Sequence, residues 1–152
     1  DIGSYPGGWA QVSRKIISSG KILCVDQEKI EKITNVSFIQ CNFLEAKAKS
    51  RILEFFDGNL DVIISDMAAN TTGNKSLDCI RTNQLCADVI EFSSINLKPK
   101  GVLVSKLFMG EDFLEVKELA KSRFKNVHFF KPEASRNESK ETYLHCAILK
   151  PL

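Results

Sequence analysis

An α/β fold with a mostly parallel sheet is what this sequence predicts, and three observations predict it. Short apolar runs rich in branched and aromatic residues recur along the chain, and segments of helical spacing lie between them. Strand then helix, repeated, calls for a parallel sheet covered by helices on both faces. The last two apolar runs are joined by K-P-E-A-S-R-N-E-S-K (131–140), which has no helical pattern, so the final strand pair is expected to be antiparallel.

The elements follow in order. The chain opens on D-I-G-S-Y-P-G-G-W (1–9), a glycine-rich turn feeding a helix expected over Ala10–Ser18. K-I-L-C-V-D (21–26) and V-S-F-I-Q (36–40) read as strands, and Ala46–Phe56 reads as a helix. D-V-I-I-S-D (61–66) is the next strand, Leu77–Leu97 the next helix and G-V-L-V-S-K (101–106) the strand after it. Over Asp112–Phe124 the residues Phe113, Val116, Leu119, Ala120 and Phe124 share one helical face. V-H-F-F (127–130) and E-T-Y-L-H-C-A-I-L-K (141–150) complete the strands. A buried strand should precede the glycine turn, yet only Asp1 and Ile2 of it stand here, so the natural chain is expected to continue upstream.

Composition sets the limits. With 152 residues and 43% hydrophobic composition, residues 1–152 are expected to form one domain. The 21 basic and 19 acidic residues nearly balance, so only local clustering can mark a polyanionic partner. Five cysteines, at 24, 41, 79, 86 and 146, form no C-x-x-C pair and read as reduced, mostly buried thiols. No apolar run approaches the roughly 18 residues of a membrane span, so no membrane partner is expected. His128 and His145 sit on strands without ligand-like spacing and read as structural, and no metal is expected.

Ligands of open α/β sheets bind at the carboxyl ends of the strands. Gly3, Gly7 and Gly8 occupy the first turn, where the backbone can approach a ligand and a helix N-terminus offers free N–H groups. Asp26 ends a strand at the position where an acid commonly accepts hydrogen bonds from ribose hydroxyls, and Asn42 follows the next strand. Asp66 and Lys106 end two more, and Glu141 begins the last, which starts at the same edge if antiparallel. Singly, each has a plain reading as a turn, a cap or a solvated strand end. Together, three strand ends bring two carboxylates and an amine to one cleft, beside a subsite suited to a ribose and an adenine.

Four linked segments, D-I-G-S-Y-P-G-G-W, S-D-M-A-A-N-T-T-G, V-S-K-L-F-M-G-E-D-F and K-P-E-A-S-R-N-E-S-K-E-T-Y, closely resemble the FtsJ/RrmJ-like RNA ribose 2′-O-methyltransferases over essentially all 152 residues. The resemblance implies a Rossmann-like methyltransferase fold with an antiparallel last strand and S-adenosyl-L-methionine as methyl donor. It implies an RNA 2′-hydroxyl as acceptor, and the segments look most like the branch that modifies a uridine of large-subunit rRNA. Donor contacts carry over to Gly7, Trp9, Asp26, Asn42 and Asp66, and catalytic roles to Lys106, Asp66 and Glu141. Three positions depart from the family pattern: Tyr5 replaces a small residue, Asn42 an aspartate, and Ala69 a proline, the last of which is expected to loosen the loop after Asp66. The family's upstream catalytic lysine would precede Asp1.

Methyl transfer to a ribose oxygen is an in-line displacement, in which alignment does much of the work. Lys106 is the expected base or hydroxyl-orienting group, held by Asp66 and Glu141, although two carboxylates favour its charged form and so oppose the base role. Arg136 and Lys140 flank Glu141 in the loop bordering the cleft and are expected to contact RNA phosphates, whereas Lys121 to Lys125 read as a solvated face. The expected partner is rRNA or a large ribosomal subunit, met by a monomer in the bacterial cytoplasm or in a mitochondrion-type organelle. Two other readings stay open here. One is a non-catalytic RNA-binding or degenerate methyltransferase-fold protein; the other is a dinucleotide-dependent oxidoreductase, which leaves Lys106 and Glu141 unexplained.

Overall fold

Branched residues favour the extended chain and the intervening segments favour helix, and the computed structural model, which describes residues 1–151, shows that alternation throughout. The chain divides into two compact units, Asp1–Asn59 and Leu60–Leu152.

In the first unit, α1 (Gly8–Ile16) leads to β1 (Leu23–Asp26), β2 (Ser37–Gln40) and α2 (Ala46–Phe56). β1 and β2 pair in parallel from Leu23 opposite Ser37 to Asp26 opposite Gln40. Ile2 forms a parallel bridge to Val25, and Val25 N–H donates to the Asp1 carbonyl, so the residues before the glycine turn are bridged in parallel to β1. Ala10, Cys24 and Ile30 are buried together, with Ile33, Val36 and Phe38 packed around them.

In the second unit, β3 (Leu60–Ser65), α3 (Lys75–Asn96), β4 (Leu97–Phe108), α4 (Phe113–Arg123), β5 (Phe124–Phe130) and β6 (Glu141–Leu149) build a sheet of order β3-β4-β6-β5. β3 and β4 are parallel; β6 inserts between β4 and β5 and is antiparallel to both. This is the α/β sheet expected, with the antiparallel last strand where the absence of a crossover helix placed it. Leu103, Leu107 and Leu144 are fully buried in its core.

Most boundaries shift by one to three residues, and two of the differences have a clear physical reason. β4 starts at Leu97, because Leu97 already pairs with Leu60 before K-P-K-G bulges out and pairing resumes at Val62 opposite Val102. Phe124 leaves the helical face assigned to it: its backbone turns extended at φ −123°, and its ring, 1% exposed, starts β5 opposite Leu149. The cysteines are all free, four of them buried and Cys41 half-buried. Burial pushes the Cys86 thiol up to about 11, which leaves it unreactive at neutral pH.

The K-P-K-G bulge yields a stability prediction. A Cβ added at Gly101 would lie 2.9 Å from Leu97 Cδ2 and 3.0 Å from the Lys98 carbonyl oxygen, and backbone cannot step aside cheaply. Gly101→Ala should therefore destabilise the fold by about 1–3 kcal/mol in chemical denaturation; an unchanged midpoint would show that the bulge is looser than described.

Candidate active site

Strand register assembles the central cluster. β3 stops at Ser65, opposite Ser105, so Asp66 emerges beside Lys106, the next residue of β4. The antiparallel β6 then sets Tyr143 opposite Lys106 and Glu141 opposite Phe108. Side chains alternate faces along a strand, so Lys106, Tyr143 and Glu141 share one face. The other face of β4, with Leu103, Ser105 and Leu107, is sealed in the core.

Lys106 Nζ lies 3.0 Å from Asp66 Oδ1 and 3.3 Å from Glu141 Oε2. The lysine side chain is only 12% exposed and both carboxylates 32%, so the ion pairs are shielded while the carboxylates still face solvent. The triad expected from Asp66, Lys106 and Glu141 is therefore assembled as one cluster. An ammonium bracketed by two carboxylates can orient an oxygen, and it has two proton acceptors in contact.

Tyr143 is the member that sequence reasoning missed. Its hydroxyl lies 3.0 Å from Asp66 Oδ1, the oxygen that Lys106 also contacts, and 3.1 Å from Glu141 Oε1, the oxygen that Lys106 does not. Burial, then the Asp66 and Glu141 charges, drive its phenol far above the ordinary range, so it is held as a hydrogen-bond donor. One phenolic proton serves one carboxylate at a time. The available signal was the two-residue step from Glu141 to Tyr143, which keeps both on one face of a strand.

The residues expected to hold the donor, Asp66 apart, lie in the first unit. Gly3 and Ser4 N–H groups donate to the Val25 carbonyl, and Tyr5 N–H donates to Asp26 Oδ2 at 2.9 Å, which pins the glycine turn to the end of β1. Asp26 Oδ1 also accepts from Glu28 N–H. Tyr5 itself is 57% exposed and points outward, so it does not crowd the turn. Gly7 is in the left-handed region at φ 117° and starts α1, whose first turn has no acidic residue and no side-chain cap. A Cβ on Gly8 would meet nothing within 4 Å. Trp9 follows in α1, and is half-buried. Asn42 lies just past β2, and its Oδ1 accepts from Leu44 N–H at 3.0 Å, leaving one lone pair for a further donor.

Arg136 and Lys140 are both exposed in the loop that leads into Glu141. Lys131 Nζ ties that loop by donating to the carbonyls of Ser139 at 2.6 Å and Asn137 at 3.3 Å, and Met109 N–H donates to the Lys140 carbonyl. His128 and His145 face each other across β5 and β6 with ring centroids 6.4 Å apart. They take no part in the acid–lysine cluster.

The model of the FtsJ-like methyltransferases matches residues 1–149. The chain belongs to that family. Among its relatives is the ribosomal RNA large subunit methyltransferase E of Pelagibacter ubique, 39% identical over 99% of this chain and 74% of that protein. The protein of the same name from Rickettsia akari is 43% identical over 95% of this chain and 66% of its own length, so the chain spans about two thirds to three quarters of these relatives. A Plasmodium falciparum protein assigned as a ribosomal RNA methyltransferase superposes with a TM-score of 0.85 at 29% identity, covering 98% of this chain and 84% of that one. Human methyltransferase-like protein 13, solved with SAH, shares the fold at 15% identity and a TM-score of 0.69, over 97% of this chain and 69% of its own.

A phenol held protonated should be silent in an alkaline titration. Tyr143→Phe is expected to leave the tyrosinate absorbance curve unchanged through about pH 11, a unit above a free phenol. It should also slow methyl transfer by about 10-fold or more, the worth of a hydrogen bond to a charged group. Loss of an inflection below that pH would mean that Tyr143 ionises and is not the donor described.

Proposed function

We propose that this protein transfers the methyl group of S-adenosyl-L-methionine to the 2′-hydroxyl of a uridine ribose in large-subunit rRNA, with Asp66, Lys106 and Glu141 as the catalytic residues. The observation that carries the reading is the shielded Lys106 ammonium in contact with both carboxylates. Family membership and relatives named for large-subunit rRNA support the acceptor. Exposed Arg136 and Lys140, beside Glu141 in sequence, would take the phosphates of that RNA or of the assembled subunit. The bacterial cytoplasm is the compartment that fits such a substrate.

The residues present fit the donor. Gly7 and Gly8 with the uncapped first turn of α1 would take its carboxylate on free N–H groups, and Gly3, whose own N–H is held by Val25, would let the backbone come close. Asp26 would take its ribose hydroxyls and Asn42 its adenine amine, with Trp9 as a further contact. When bound, S-adenosylmethionine supplies a methyl on a positively charged sulfur, and the ribose oxygen takes that methyl as the carbon–sulfur bond breaks in line. Lys106 Nζ orients the ribose oxygen and, as an amine, accepts the hydroxyl proton. The two carboxylates favour the ammonium, and the positive charge of a bound donor would favour the amine, which forms when one proton passes to Asp66 or Glu141 across the contacts of 3.0 and 3.3 Å and leaves the net charge of the cluster at −1. Tyr143 keeps both acids in place by bonding the oxygen that each presents to it.

A comparison of Lys106→Ala and Lys106→Arg tests the role. Both should lower methyl transfer to large-subunit rRNA by about 10²- to 10⁴-fold, the usual worth of a positioned acid or base, while donor binding by calorimetry is unchanged. Near-normal turnover by the arginine variant would show that charge alone suffices and that Lys106 accepts no proton. At the donor subsite, Asn42→Asp should tighten donor binding by roughly 5-fold, because a carboxylate accepts the stronger hydrogen bond. Weaker binding would remove Asn42 from the adenine subsite.

A further inference from the structure

α3 carries two consecutive polar side chains, Thr82 at 1% and Asn83 at 0% exposure, deep in an otherwise apolar contact with the sheet. Buried polar groups are costly unless paired, so what they bond is informative. Thr82 Oγ1 accepts from Ala69 N–H at 3.1 Å, three residues beyond Asp66. Asn83 Oδ1 accepts from Phe108 N–H at 2.7 Å, and its Nδ2 donates to the Phe108 carbonyl at 2.9 Å and to Asp112 Oδ1 at 2.8 Å. One turn of one helix thus bonds backbone shortly past the end of β3 and at the last residue of β4, the two segments that carry Asp66 and Lys106.

We propose that Thr82 and Asn83 are positioning residues that hold Asp66 and Lys106 in catalytic register. β3 ends at Ser65 opposite Ser105, so beyond that point β4 has no strand partner on its β3 side. Met109 N–H is spent on the Lys140 carbonyl, on the β6 side, and the alternation of a strand turns the Phe108 peptide groups the other way. The Asn83 amide, with one acceptor and one donor side by side, stands in for the missing strand. Close packing keeps it there: a Cβ on Gly110 would lie 3.1 Å from Cys79 Cβ, one helical turn before Asn83.

Thr82 meets the consequence of a departure already noted. Ala69 stands where the resemblance expects proline, and the loop after Asp66 was expected to be looser for it. Proline has no N–H, whereas Ala69 has one and gives it to Thr82. The ring's restraint is replaced here by a hydrogen bond to a buried hydroxyl. Thr72 adds a second tie, donating to Asp78 through both its N–H and its hydroxyl. The loop from Asp66 to α3 is therefore held at defined points.

This inference rests on the proposed reaction, and its test separates the two. Thr82→Val keeps the shape and removes the acceptor; it should lower kcat roughly 10-fold, as small misplacements of reacting groups do, with KM for donor and RNA unchanged. Thr82→Ser should restore the rate. Ala69→Pro removes the N–H but brings the ring's own restraint, so alone it should leave kcat near wild type and added to Thr82→Val it should recover the rate; if Thr82→Val fails to fold, a lowered kcat in Ala69→Pro overturns the proposal. Amide exchange at residue 69 should quicken in Thr82→Val, which keeps the Ala69 N–H and removes its acceptor. A wild-type kcat in Thr82→Val, or a loss that serine does not rescue, overturns the proposal. If the wild-type protein transfers no methyl to RNA, the proposed function fails instead. The tie then stands or falls on exchange alone, faster exchange at residue 69 supporting it and unchanged exchange removing it.

Discussion

Two carboxylates share one ammonium on the half-open face of the β4–β6 ladder, and the arrangement of the second unit serves that contact. Burying a lysine to 12% exposure costs desolvation, which only close and correctly placed acids offset. The acids come from strands that lie far apart in sequence, so the cluster depends on β6 inserting antiparallel beside β4 and on β3 stopping one residue short of Asp66. Tyr143 then completes the ring of contacts by bonding both acids from a buried position.

The same interaction explains why so much polarity is buried around it. Thr82, Asn83 and Ser105 are nearly inaccessible, yet an apolar sheet could have packed without them. Thr82 and Asn83 pair with backbone at the ends of β3 and β4, where regular strand pairing has run out and the functional side chains begin. In the first unit the glycine turn is fastened in a comparable way, with β1 carbonyls and the Asp26 carboxylate accepting its N–H groups. In each unit, backbone that would otherwise be loose is tied at the place where chemistry is proposed.

Much of this was legible in the sequence because strand ends are legible. Apolar runs ending in Asp26 and Asp66 placed those residues at carboxyl ends, Lys106 stands two residues inside the end of β4, and the irregular 131–140 segment announced the antiparallel strand that brings Glu141 to Asp66 and Lys106. What escaped was information carried by register and not by run. Tyr143 could be recognised only once β6 was aligned with β4, and the K-P-K-G bulge only once Leu97 was seen to pair with Leu60. Phe124 fits a helical face as well as a strand start, and tertiary pairing with Leu149 decided it. Thr82 and Asn83 carry no local signal at all, since a polar pair on a long helix ordinarily faces water.

The central claim is that the methyl group reaches a ribose oxygen. The most direct measurement supplies the full-length protein with tritiated S-adenosyl-L-methionine and large ribosomal subunits, then hydrolyses the recovered rRNA in alkali. A 2′-O-methyl group blocks alkaline cleavage, so the account predicts label in an alkali-resistant dinucleotide that begins with uridine. Label in ordinary mononucleotides would place the methyl on a base and contradict the role given to Lys106.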